Sequence, residues 1–302
     1  MRTPLSYFFN SNAILHLGMQ YLRNRLRGFE KWKDDFDSPS ILIFTVDTEL
    51  TPDWKVPRKS PSLDQSISGL LSLLDDFRIR GTFLCEGMMI EEYGDLVKTI
   101  SDSGHEIGYH GYDHESYGGY WPTKTVNQPK VLERDRIGTY LREGKNLIYN
   151  ACGQNATSFV APFHLASRCT IKELMKNGFT ADASLYNHAF GLSSTPFVIG
   201  SLVINLVSDR PNQKRLVEIP FTVPRTLSWR FNPPILEFAT KHLQNAIEDC
   251  RGMPYILLTV HPWELNPEML SLIDFFLSGL KFESRTMREV ANLMLTLQTS
   301  AY

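Results

Sequence analysis

From Ile41 onward the chain repeats one unit: a short unbroken apolar run, then a stretch whose apolar side chains recur every three or four positions. The first run, ILIFTVDT, shows no polar alternation before Asp47, the pattern of a strand buried on both faces. Leu63, Ile67, Leu70, Leu71, Leu74 and Phe77 then fall on one helical stripe. GTFLCE reads as the second strand, a helix near Glu91 to Ser101 follows, and HEIGYH reads as the third strand. Later come SFVAP, a helix through CTIKELMKNG, FTADASL, FVIGSLVINLV, LVEIPFTV, a helix through ILEFATKHLQNAIEDC, YILLTVHP and two helical stretches flanking FESRTM. Buried strands alternating with helices pair in parallel through crossovers, so the fold class is α/β, either a (β/α) barrel or an open sheet. With no GxGxxG after the first strand and no GxxxxGK[ST], nucleotide-binding sheets lose ground. A distorted barrel with an antiparallel insert near residues 197 to 224 fits best.

At 302 residues, 42% hydrophobic and 21% charged, the chain can bury a full core. Its net charge of −2, with no basic run interleaved with aromatics, argues against a nucleic-acid partner. Cys85, Cys152, Cys169 and Cys250 lie far apart without a CxxC, which points to neither a zinc knuckle nor a disulfide framework, and so to a reducing compartment. Residues 1–40 read as an N-terminal helical extension and linker, and residues 41–302 as the principal domain. In the extension Leu15, Met19, Leu22 and Leu26 share a helical face, with Arg23, Arg25, Arg27, Lys31 and Lys33 behind them. Asn10, Asn12, His16 and Gln20 make this segment too polar for a secretory leader or a membrane span. The expectation is a helix packed on the domain, the alternative an interfacial basic helix in peripheral membrane contact. The expected location is the cytoplasm, including the inner membrane face.

In a parallel barrel, polar residues at the C-terminal ends of the strands converge on one mouth. Here the first strand ends in Asp47 and Glu49, the third in His110 followed by His114, the fourth in Pro162, Phe163 and His164, the fifth near Asp182 and a late one in His261. If the segment after HEIGY turns helical, His110 and His114, four apart, share a face and grip one ion. A first-strand carboxylate then completes a His₂-carboxylate set with open positions. An HxxxH pair alone is more often a surface or capping feature. His105 and His164 read as structural histidines, Asp113 as solvated. The coincidence of acids and histidines at several strand ends is what favours a metal site.

The order FTVDTE, HGYDH, FVAPFH, ADASL and LLTVHPWEL resembles the motifs of the polysaccharide deacetylase family, the NodB-homology or carbohydrate esterase family 4 group, from about Ile41 to near the end. The resemblance implies a distorted (β/α) barrel of that type, one divalent ion, usually zinc with cobalt, nickel or manganese as alternatives, and hydrolysis of an N-acetyl amide on a sugar. It assigns Asp47 as general base, His110 and His114 as ligands, His261 as general acid and Asp182 as the acid that orients the catalytic histidine. Many members carry adjacent aspartates in the first motif. This chain spaces its acids as Asp47-Thr48-Glu49, which makes Glu49 the third ligand. The family's third motif usually begins with an arginine that buttresses the base, and Val160 stands there instead, with Arg225 as a candidate replacement.

Amide hydrolysis needs these residue types. The carbonyl must be polarised, water must lose a proton to Asp47, an oxyanion needs donors such as the Phe163 N–H, and the departing nitrogen needs a proton from His261. Pro162, Phe163 and Trp263 are expected to line the substrate site. The expected substrate is an acylated amino sugar or short glycan, lipid- or nucleotide-linked. Deformylation of a lipid-linked sugar, an allantoinase-like ring opening, and a catalytically silent carbohydrate-binding protein are the alternatives.

Overall fold

A computed structural model describes residues 40–50, 62–118, 130–184, 197–199, 214–220, 244, 247, 248, 250 and 255–299. Strand β1 (Ser40–Thr48) is buried along nearly its whole length. Leu42, Phe44 and Val46 join an outer apolar layer with Ile67, Leu70 and Leu74, while Ile43 joins an inner one with Leu84, Val160, Val217 and Leu257. The period-two alternation of a strand therefore turns Ile43, Thr45 and Asp47 inward. Thr45 confirms that direction by bonding Thr259 hydroxyl to hydroxyl at 2.6 Å.

Helix α1 (Leu63–Asp76) starts at a capping box in which Ser62 and Gln65 satisfy each other's backbone N–H groups. It buries Ile67, Leu70 and Leu74 against the outer layer. Then follow β2 (Thr82–Cys85), α2 (Gly87–Glu92), α3 (Gly94–Asp102), β3 (Glu106–Tyr109), α4 (Ile137–Cys152), β4 (Ser158–Phe159), α5 (Arg168–Lys176) and β5 (Ala181–Asp182). Strands β6 (Phe197–Ile199), β7 (Leu216–Glu218) and β8 (Tyr255–Val260) precede α6 (Pro267–Ser278), β9 (Phe282–Ser284) and α7 (Met287–Thr299). The sheet runs β6-β7-β5-β4-β3-β2-β1-β8, with β9 beside the start of β1. Every pairing is parallel except β6 with β7, the antiparallel element expected near residue 197. Among the described residues the path curls without closing on itself.

Helix α4 was not legible beforehand. Its buried face, Ile137, Leu141, Gly144 and Ile148, includes a glycine because a Cβ at position 144 would stand 2.2 Å from the Tyr109 ring. The helix read near Glu91 to Ser101 is two helices, α2 and α3, meeting at Tyr93. The N-terminal extension, Arg225 and most of the helix expected through ILEFATKHLQNAIEDC lie outside the described residues.

At the base of the sheet, where the strands begin, Glu106 is a polar hub. Its carboxylate accepts from Thr82 Oγ1 (2.9 Å), Ser158 Oγ (2.6 Å), Arg288 N (3.0 Å) and Arg288 Nε (3.3 Å), tying β2, β3, β4 and α7 together. Met287, Val290, Ala291 and Met294 of α7 cover the inner apolar layer.

Candidate active site

Parallel pairing brings the C-terminal ends of β1, β2, β3, β4, β5 and β8 to one mouth. Glu49, just past β1, places Oε2 2.6 Å from His114 Nε2 and 3.6 Å from His110 Nε2. One ligand atom from each of these three residues lies within 4.8 Å of the others. His261, just past β8, faces the same spot, with Nε2 3.8 Å from Asp47 Oδ2 and 4.0 Å from Glu49 Oε1. Phe163 stands edge-on to His114 at 4.3 Å between centroids.

The segment between the two histidines is not the helical turn expected of an HxxxH spacing. Gly111 has φ +84° and His114 φ +47°, which no α-helix contains. The Glu115 carboxylate takes the backbone N–H groups of Tyr112 (3.2 Å) and Asp113 (2.7 Å), offering the chain an alternative to helical bonding. A side chain at Gly111 would meet Pro162 Cγ at 3.0 Å, so the tight loop and the Pro162 turn fit only with glycine there. The loop still turns both imidazoles onto Glu49.

The donor set fits a divalent cation. Among the described residues Asp47 Oδ1 and Glu49 Oε2 are buried with no hydrogen-bond partner, and orphaned carboxylate oxygens deep in a protein are costly unless a cation answers them. With its Nδ1–H given to the Val160 carbonyl (2.9 Å), neutral His110 presents Nε2 as a lone pair, the second partner that metal-binding histidines commonly have. Burial opposes charge on His110, yet Asp47, Glu49 and Glu86 outweigh it and raise its pKa to about 9. Burial likewise works against ionised Glu49, but His110, His114 and His261 hold its carboxyl well below the usual range. The pocket thus draws positive charge to one point. Glu86 at the end of β2 is pushed up to about 7 by burial, against the bond it accepts from Leu50 N at 2.9 Å.

Residues 55–181 match the polysaccharide deacetylase family pattern. That likeness to the family covers 127 of the 302 residues. The matched stretch holds His110, His114, Pro162 and Phe163, and the fold brings Asp47, Glu49 and His261 to them. A peptidoglycan deacetylase of Helicobacter pylori is 31% identical over 165 residues, 55% of this chain and 50% of that protein. The chain therefore spans about half that relative's length. A candidate polysaccharide deacetylase of Mycobacterium smegmatis superposes with a TM-score of 0.64 at 21% identity, covering 86% of this chain and 91% of that one. A CE4 family pseudoenzyme of Bacillus anthracis superposes at 0.50 with 16% identity, covering 84% and 66%. At these identities the two structures establish the fold, a curled parallel (β/α) half-barrel.

Two features of the site depart from the expected arrangement. Val160, where the motif resemblance implies an arginine, buries its side chain in the inner apolar layer and contributes its carbonyl to His110. Among the described residues the bonds of Asp182 run to partners other than His261. Its Oδ1 accepts from Ser184 Oγ at 2.5 Å, Ser184 Oγ accepts from Ala161 N at 2.9 Å, and Glu218 lies beside it in register. Burial raises the Asp182 carboxyl to about 6, against the bonds from Ser184 and Glu218. The carboxylate beside His261 is that of Glu264, whose Oε2 sits 3.1 Å from His261 Nδ1. Burial disfavours charge on His261, but Glu264, Glu49 and Asp47 together raise its pKa. Trp263, expected to line the site, also donates Nε1–H to Glu49 Oε1 at 3.1 Å. The H-x-x-E spacing of 261 to 264 was the available signal for Glu264; the Val160 carbonyl had none.

Proposed function

We propose that this chain is a metal-dependent hydrolase that removes an N-acetyl group from an amino sugar of a glycan, with Glu49, His110 and His114 holding one divalent ion, most simply zinc. The observation that carries this is the convergence of those three ligand atoms beside Asp47 and His261, with two buried carboxylate oxygens unanswered. Bound there, the ion supplies Lewis acidity for the carbonyl and for water.

Asp47 takes the proton of the attacking water as its oxygen bonds the carbonyl carbon. The resulting oxyanion collapses, the C–N bond breaks, and His261 gives the nitrogen its proton, so that acetate and a free amine leave. Phe163 and Trp263 offer flat apolar faces of the kind sugar rings pack on, and Pro162 shapes the turn that carries Phe163. The Helicobacter relative named for peptidoglycan supports N-acetylated amino sugars as the substrate class.

Incubating the zinc-loaded chain with acetylated glucosamine oligomers and peptidoglycan fragments should release acetate, with formylated sugars and cyclic amides turned over far more slowly. Formate release or ring opening at higher efficiency would transfer the assignment to a deformylase or allantoinase-like reaction. A lipid-linked substrate met at the inner membrane face is the finer form of the proposal. It rests on the basic stripe of residues 15–33, outside the described residues, and sedimentation with anionic vesicles tests it. None of the described helices is long and apolar enough to cross a membrane.

A further inference from the structure

Directly after His261 the chain makes a single 3₁₀ turn over Pro262–Glu264. The turn is closed by Glu264 N to His261 O (3.0 Å) and Leu265 N to Pro262 O (3.1 Å). Leu265 is buried, and its carbonyl accepts from Ser66 Oγ of α1 at 3.3 Å, so the turn is fixed to the body of the domain at its far end. Its two polar side chains reach back to different members of the site. Glu264 Oε2 meets His261 Nδ1 at 3.1 Å, and Trp263 Nε1 meets Glu49 Oε1 at 3.1 Å. The Trp263 ring also lies over His261, with centroids 4.8 Å apart and planes inclined by 31°.

We infer that the Pro262–Glu264 turn is a positioning device shared by the third metal ligand and the acid histidine. This rests on the deacetylase reading above and adds two positioning residues to it. Trp263 engages one oxygen of Glu49, which leaves Oε2, the oxygen nearest both histidines, to face the ion. Glu264 engages Nδ1 of His261, which leaves Nε2 as the nitrogen aimed at Asp47 and Glu49 and hence at the departing amine. Because both contacts spring from consecutive residues of one anchored turn, the distance between ligand and acid is set locally. It does not depend on Asp182 or on an arginine at position 160. The turn thereby supplies the orienting acid that the family arrangement draws from elsewhere.

Zinc affinity of the full chain, measured by competition with a chromophoric chelator, and turnover of an N-acetyl amide and an aryl acetate together test this. Trp263→Phe should weaken zinc binding about 10- to 100-fold, the usual effect of losing a partner to a ligand. Glu264→Gln should leave zinc affinity unchanged while kcat on the amide falls about 10-fold or more, KM holds and the aryl acetate is spared, because only the amide needs the proton at C–N cleavage. Wild-type zinc affinity in Trp263→Phe, or equal losses on both substrates in Glu264→Gln, overturns the inference. Should the phenylalanine variant fail to fold, Trp263→Gln, which keeps an N–H donor, reads the same bond: affinity within about threefold of wild type supports it and a larger loss overturns it. A wild-type chain that binds no zinc would bring down the deacetylase reading itself, whereas tight zinc and full turnover in wild type with unresponsive variants would bring down only the turn.

Discussion

Glu106 at the base of the sheet and Glu49 at its mouth are buried almost alike, 3% and 2% exposed, on neighbouring parts of the same curved wall. Their surroundings differ completely. Glu106 receives four donors from two strands and a helix, so both oxygens are answered within the protein. Among the described residues Glu49 accepts from Trp263 Nε1, and its Oε2 faces two imidazole nitrogens. A satisfied buried carboxylate stabilises the elements it joins, whereas a half-answered one raises the energy of the fold unless something else completes it. The base holds the barrel together, and the mouth is left to be completed by what it binds.

Substitutions at the two ends should therefore fail in different currencies, and the largest effect is expected at the ligands. Replacing both His110 and His114 with alanine should abolish stoichiometric zinc binding with little change in melting temperature of the metal-free chain; elemental analysis finding a full equivalent of zinc in that variant would break the comparison. Asp47→Asn comes next. It should keep the ion yet lose about 10²- to 10⁴-fold in turnover, since an amide cannot accept the water's proton. Urea unfolding should show its stability unchanged or raised, because a buried carboxylate with one unanswered oxygen has been removed.

At the base the signs reverse. Glu106→Gln should cost about 2 to 3 kcal/mol of folding stability, the scale for hydrogen bonds to a charged group, while zinc affinity stays at the wild-type level. A loss of zinc affinity larger than the loss of stability would show that the two ends are not separate.

A smaller effect concerns His105, also at the base, whose Nδ1 accepts from Gly81 N at 3.0 Å. Burial lowers its pKa to about 4, against about 6.5 in an unfolded chain. Between those values the unfolded chain binds more protons, so this contribution to stability is complete above about pH 6.5 and is lost as pH falls towards 4. Denaturant midpoints followed from pH 7 to 4 should decline more steeply in the wild type than in His105→Gln.

The mouth was legible in the sequence to the extent that its residues follow strands. Asp47, His110 and His261 each end an apolar run, and in a parallel sheet that position alone fixes the side of the barrel on which they emerge. The strands β4 and β5, two residues each, were legible only through the motifs that follow them. What the sequence hid was the means of support. The Val160 carbonyl is a backbone atom with no side-chain signature, and Glu115, which shapes the loop between the histidines, acts on N–H groups that every residue carries. The spacing of His110 and His114 suggested a helix because four residues make a helical turn, but the positive φ at Gly111 reaches the same convergence by a sharper path. Helix α4 was missed because its inward face reads Ile-Leu-Gly-Ile, with the glycine fitted to Tyr109 rather than to helical propensity.

The most direct measurement is acetate release from acetylated glucosamine oligomers by the chelator-stripped chain as zinc is returned stepwise. The account predicts no release from the stripped protein and a recovery that levels off near one equivalent of zinc per chain. Full release from the stripped chain, or a folded chain that zinc fails to activate at any level, would contradict it.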